Sequence, residues 1–165
     1  MTRFFPLVNR EAAPSMVFVD GENLAVRYGN LLQSASAKPP DHVQYEPGVY
    51  VWSRELNNLC YRGGVIRRHY YTSVQGDDDR IIDVVEKLKA VGIEAPNVFK
   101  KTKNKGSKRV DVSLTTDMLL HAARKNFELA VLIAVTRIMC RLWRRSSLRD
   151  AEFCCGSYLT GSALH

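Results

Sequence analysis

The sequence predicts an α/β domain of three layers, a mostly parallel central sheet flanked by helices, with an atypical C-terminal part. Three observations carry this. The runs "MVFVD", "VIRRHYYTSV" and "ELAVLIA" have the length and the β-branched or apolar content of buried strands. Between them lie amphipathic stretches with helix-start and helix-stop residues. Strands alternating with helices are the pattern of a parallel sheet covered on both faces.

In chain order, Met16 to Asp20 forms the first strand and ends in an acid. "GENLAVRYGNLLQ" follows as a helix, with Leu24, Tyr28, Leu31 and Leu32 at helical spacing. Gly21 is expected to let the chain turn sharply between the two. "SASAKPPD" has loop composition. After Pro47 and Gly48, Val49 to Tyr61 is expected to be a second helix, ended by Gly63 and Gly64. "VIRRHYYTSV" is the next strand. "DDDRIIDVVEKLKAVG" opens with acids, keeps Ile81, Val84, Val85 and Leu88 on one face and stops at Gly92, as an amphipathic helix should. "NVFKK" is a short strand, "RVDVSLTTDMLLHAARKN" a helix and "ELAVLIA" the last buried strand. This organisation divides the chain into an N-terminal extension (1–15), a domain (16–134) and a tail (135–165).

A chain of 165 residues, 45% hydrophobic and 25% charged, suffices for one soluble domain with a full core. No apolar run reaches the length of a membrane span, and "MTRFFPLVNREAAPS" lacks the apolar core of a secretory signal, so a cytoplasmic protein is the expectation. Nothing in the sequence speaks to the oligomeric state. The net charge of +7 suits a polyanionic partner. Six of the 24 basic residues fall within ten positions, "KKTKNKGSKR": Lys100, Lys101, Lys103, Lys105, Lys108 and Arg109. This run reads either as a solvated loop or as a clamp on nucleic-acid phosphates. Cys60 stands alone in the domain, whereas Cys140, Cys154 and Cys155 crowd the tail, at spacings that fit neither a zinc site nor a disulfide framework.

In an open parallel sheet, ligands gather outside the carboxyl ends of the strands. Asp20 closes the first strand and so belongs at that edge. Asn23, within the next turn, can bond a water or the Asp20 carboxylate; alternatively Asp20 merely caps the helix. Asp111 and Asp117 lie on the helix after the basic run, about 120° apart around its axis and about 9 Å apart along it. They approach one site only if Asp111 sits in the first turn. His121 reads as a packing or surface histidine. Asp77, Asp78 and Asp79 read as helix-start residues favoured by the dipole. Carboxylates converging with few basic partners require a hard divalent cation, Mg²⁺ or Mn²⁺, which can polarise a phosphoryl oxygen and activate a water.

"VFVDGENL", the basic run, "KRVDVSLTTDML" and "ELAVLIA", in this order, resemble the NYN-domain family of PIN-like ribonucleases over Met16 to Ala134. The resemblance implies a PIN-like fold, a metal-dependent phosphodiester hydrolysis and RNA as substrate. It places Asp20, Asp111 and Asp117 at acidic catalytic and metal-binding positions. It places Asn23 at the polar position after the first strand, beside a substrate surface formed by the basic run. The runner-up is a non-catalytic module that binds nucleic acid or a partner. A plain nucleotide-binding domain finds no glycine-loop motif to support it.

The departure from the family follows "VLIA". There the family carries a Gly-Asp-x-Asp turn and a Pro-Leu helix that deliver its remaining acids, whereas this chain reads Val135, Thr136, Arg137, Ile138 and has no acid until Asp150. Displaced by one base, codons for "VTRIMCRLWRR" also permit "GDEDYVPLVEA", and those for "RDAEFCCGS" permit "GRRVLLWF". Two family-like recoveries in one frame predict a one-base loss near the Ala134 codon, with an out-of-frame tail after it and an impaired enzyme. Loss of the last native elements is expected to leave one edge of the sheet unpaired.

Overall fold

The computed structural model describes residues 14–54, 56–59, 64–101, 108–134 and 152–155. Its centre is β1 (Ser15–Asp20), buried along its whole length as the apolar run "SMVFVD" requires. β4 (Val65–Val74) lies on one side of β1, with β5 (Ala95–Lys100) beyond it. On the other side lie β6 (Leu129–Ile133) and β7 (Glu152–Cys155), giving the order β5-β4-β1-β6-β7. Every pairing in this sheet is parallel. All its strands therefore end at one edge.

The chain builds outward from β1 through β4 to β5, then crosses back to β6 on the far side. That reversal makes β1 the switch point, where adjoining crossovers diverge and leave a crevice at the strand ends. Right-handed crossovers running in opposite directions place their helices on opposite faces. Accordingly α3 (Asp78–Ala90) and α4 (Lys108–Ala123) contribute to separate cores. Met16, Phe18 and Tyr71 pack with Val110, Leu114 and Met118 of α4. Val17, Val19 and Tyr70 pack with Val84 and Leu88 of α3 and with Trp52. Alternation along β1 thus assigns Asp20 to the α4 face, with Met16 and Phe18.

α1 (Gly21–Ser34) begins directly after β1, with Asp20 as its N-cap. Asp77 caps α3 in the same manner, its carboxylate accepting from the Arg80 N–H at 3.0 Å. The acids at 77–79 thus stand where a helix start places them.

Two expectations fail in this fold. Val49 to Tyr61 is not one helix. Val43–Glu46 (β2) and Tyr50–Ser53 (β3) form an antiparallel hairpin, followed by the short α2 (Leu56–Leu59); Tyr61 lies outside the described residues. Pro47 and Gly48, the latter at φ +68°, make the turn, and the Val49 N–H returns to the Glu46 carbonyl at 3.1 Å. The β-branched and aromatic content of "VYVW" outweighs its weak helical spacing. The outer edge of β6 is also not left bare, because β7 pairs with it, Leu129 to Leu132 opposite Glu152 to Cys155. Residues 135–151 and the rest of the tail lie outside the described residues, as do Lys103 and Lys105 of the basic run.

Candidate active site at the carboxyl edge of the sheet

Asp20 is buried, 1% exposed, at the end of the central strand. One carboxylate oxygen accepts the Asn23 N–H at 3.3 Å and the other accepts Asn23 Nδ2–H at 2.6 Å. Capping and side-chain pairing are therefore both present; Asn23 holds the carboxylate from two directions. Burial pushes the Asp20 carboxyl above its usual range, the Asn23 bonds oppose this, and the nearby negative charges of Asp111 and Glu22 raise it further.

Asp111 sits in the first turn of α4. Its carboxyl is also raised, first by desolvation and then by Glu22. Asp20, Glu22 and Asp111 thus share one electrostatic field. Asp117, nearly two turns further on, accepts a hydrogen bond from the Tyr71 hydroxyl at 2.9 Å. Tyr71 is the β4 residue in register with Asp20 and belongs to the α4-side core. All three predicted acids accordingly lie on one face of the sheet. Asp117 is engaged by Tyr71, while the Asp111 charge helps to raise the Asp20 carboxyl. Burial, followed by the bond to Asp117, pushes the Tyr71 hydroxyl pKa up, so it remains a donor.

Glu22 and its partner Ser73 were missed from the sequence, whereas Lys101 was read there as part of the basic run. Its carboxylate accepts from Ser73 Oγ at 2.6 Å and from Lys101 Nζ at 2.8 Å, and its side chain is 8% exposed. The available signal was a second acid two residues after Asp20, in the first turn of α1. The basic run divides. Lys101 reaches into the acidic site, whereas Lys100, the preceding residue, faces the α3 side and meets Asp78 at 3.7 Å. The Arg109 guanidinium lies 5.3 Å from the centre of the Phe99 ring, on the α4 side. Lys108 starts α4.

His121 packs against Phe18 and His69, with ring centres 6.3 and 5.0 Å away, and shares a hydrogen bond with Asn126 at 2.8 Å. It is a packing histidine. His69, 6% exposed, stacks between Phe18 and Tyr71, and its Nε2 has no hydrogen-bond partner among the described residues. Burial drives its pKa down to about 4, and the charges of His121 and Arg67 act in the same direction.

Carboxylates whose pKa is raised by neighbouring negative charge are donors of the kind a hard divalent cation would relieve; Asp20, raised by Asp111 and Glu22, and Asp111, raised by Glu22, therefore fit Mg²⁺ or Mn²⁺ in chemistry. In number the fit is incomplete. Among the described residues no three His, Cys, Asp or Glu side chains are grouped to hold an ion.

The family model for the NYN domain matches residues 14–147. The chain belongs to the NYN-domain family. NYN domains are of the ribonuclease type, generally act on RNA and generally depend on divalent metal. No curated protein and no solved structure matches the chain. Among the described residues, no helix of this NYN domain is long and apolar enough to cross a membrane.

Proposed function

We propose that this chain is a metal-dependent ribonuclease domain whose activity is impaired by the loss of the acids expected after Ala134. The observation that carries the proposal is the buried Asp20 carboxylate, at the switch point of the sheet, held by Asn23 and lying in the field of Asp111 and Glu22. Asp20 and Asp111 would hold Mg²⁺ or Mn²⁺, with Asp117, bonded by Tyr71 on the same face of the sheet, as the third acid. When bound, such a cation would supply polarisation of a phosphoryl oxygen and a lowered pKa for a water. Lys101 and Arg109, with Lys103, Lys105 and Lys108 of the same run, would hold the RNA strand by its phosphates. With the Gly-Asp-x-Asp turn displaced out of frame, the ligand set would stay short, since residues 135–149 contain no acid. The basic run, which needs no metal to hold a polyanion, supports the alternative of a non-catalytic module that binds nucleic acid or a partner.

Labelled single-stranded RNA incubated with the protein and Mn²⁺ separates the two. The proposal expects slow cleavage, abolished by chelator and by Asp20→Asn, and at least tenfold faster once one base is inserted after the Ala134 codon of the gene. Salt-sensitive retention of intact RNA by both proteins would favour the binding module. Sequencing across that codon tests the frame directly; an uninterrupted message for 135–165, with no deletion scar, refutes the displacement.

A further inference from the structure

We infer that Glu22 is a positioning residue: it fixes the Lys101 ammonium at the rim of the acidic site, where that ammonium meets an RNA phosphate. The inference rests on the ribonuclease reading and deepens it.

A carboxylate beside a phosphate-binding site ordinarily repels the substrate. Glu22 is placed so that it does otherwise. It is the second residue of α1, and it is almost wholly covered. Its Oε2 accepts from Ser73 Oγ at 2.6 Å, and its Oε1 accepts from Lys101 Nζ at 2.8 Å. The carboxylate therefore has little contact with solvent and one fixed direction. Lys101 is its complement. The side chain is 42% exposed, so its ammonium keeps a face toward solvent while Glu22 holds another. The Lys101 N–H also bonds the Val74 carbonyl at 2.8 Å, which extends the pairing of β4 with β5 by one residue and anchors the base of the side chain. Among the described residues, Lys100 has no such buried acceptor and meets the exposed Asp78 at 3.7 Å. A flexible lysine loses much rotamer entropy on binding a phosphate. Holding Lys101 in place beforehand removes part of that cost. Ser73 in turn fixes the rotamer of Glu22.

Glu22 can be separated from a plain acidic repeller, because neutralising a repeller strengthens RNA binding whereas neutralising a positioning residue weakens it. Retention of a fluorescein-labelled single-stranded oligouridylate is measured in chelator across a salt series, so that no cleavage enters the readout. For Lys101→Ala the slope of log K against log salt should fall by about 0.7, the share of one phosphate contact on a single strand, and affinity should fall roughly fivefold at 0.1 M salt. Glu22→Gln should reproduce most of that loss, and the double variant should lose no more than Lys101→Ala alone. Ser73→Ala, which leaves both charges in place, should show a smaller loss of the same kind and keeps the test open should Glu22→Gln not fold. Tighter or unchanged binding by Glu22→Gln, additive losses in the double variant, or parent-like binding by Ser73→Ala overturns the inference and leaves the ribonuclease reading standing. A parent protein that retains no RNA overturns both.

Discussion

Gly21→Ala should destabilise the domain severely, although it adds one methyl group. Gly21 follows Asp20 and has no left-handed backbone; among the described residues the glycines with positive φ are Gly48, Gly76 and Gly92. The sharp turn expected from the sequence is therefore not what demands glycine here. A Cβ at position 21 would lie 1.9, 2.3 and 2.7 Å from Cε1, Cζ and Cδ1 of the Tyr70 ring. Carbon contacts want about 3.5–4 Å, so the ring must retreat by roughly 1.5 Å or more. It has nowhere to go. Tyr70 is fully buried, its hydroxyl donates to the Val51 carbonyl at 3.1 Å and accepts the Val51 N–H at 3.0 Å, and the Trp52 ring meets it edge-on at 5.9 Å. Overpacking costs about 1–3 kcal/mol, and each buried group stripped of its partner costs about 1–3 kcal/mol more. A total near 4 kcal/mol is a large share of the roughly 5–15 kcal/mol that holds a domain folded. Thermal melting followed by circular dichroism should show a drop of roughly 8–16 °C. In a Tyr70→Leu background, which clears the clash, the same alanine should cost little further. A drop below about 3 °C in the parent, or an equal penalty in the leucine background, refutes the reasoning and returns Gly21 to a backbone role.

Three further outcomes follow from the site. Asp20→Asn keeps an N-cap side chain and removes a buried charge that Asp111 and Glu22 oppose, so it should melt roughly 2–4 °C higher while losing metal-dependent cleavage; a lower melting temperature contradicts this. His69 takes up a proton only near pH 4 when folded, against 6.5 ordinarily, so the unfolded chain binds more protons between these values and stability falls as pH falls through that window. The span from 6.5 down to about 4 caps the loss at about 3 kcal/mol. Asp20 and Asp111, with raised carboxyls, act in the opposite sense there, so the comparison is with His69→Phe, which should show a shallower acid loss; parallel profiles exclude His69 as the source. Tyr71→Phe takes the donor from Asp117 and should cost about 1–2 kcal/mol in denaturant unfolding, and an unchanged midpoint would show the 2.9 Å contact to be idle.

Strands β1, β4, β5 and β6 and the three long helices were legible because their signals are local. Period-two or continuous apolar runs marked β1, β4 and β6, and caps with a 3.6-residue stripe marked α3. The hairpin was not, because Val49 to Tyr61 mixes apolar residues at spacings that suit either state. Its choice comes from outside the segment: Tyr50 to Ser53 are all buried, and Val51 closes two hydrogen bonds on Tyr70, nineteen residues away. At the site, Asp20, Asn23 and Asp111 could be read from position alone, as a strand end and two first turns. Glu22 could not, since its meaning depends on Ser73 and Lys101, which are 51 and 79 residues distant. Nor could the split of Lys100 from Lys101, which follows from strand alternation once β5 is known to reach Lys100.

The β6 edge shows why a displaced reading frame would spare the fold more than the chemistry. Pairing along a sheet edge is made by backbone N–H and C=O groups, which every residue but proline supplies. Glu152 to Cys155 can therefore line up in parallel with Leu129 to Leu132 whatever their side chains were selected for. A metal site has no such tolerance. It needs carboxylate oxygens, from defined residues, at defined points on the rim. The main chain of the tail can thus pair with β6, while Val135 to Ile138 include no acid. On this reading the domain retains its crevice, its Asp20–Asn23 pair and its Lys101 anchor, and lacks the donors that would complete an ion's shell. Inserting one base would then change catalysis far more than RNA retention. Equal gains in both would locate the defect in folding instead.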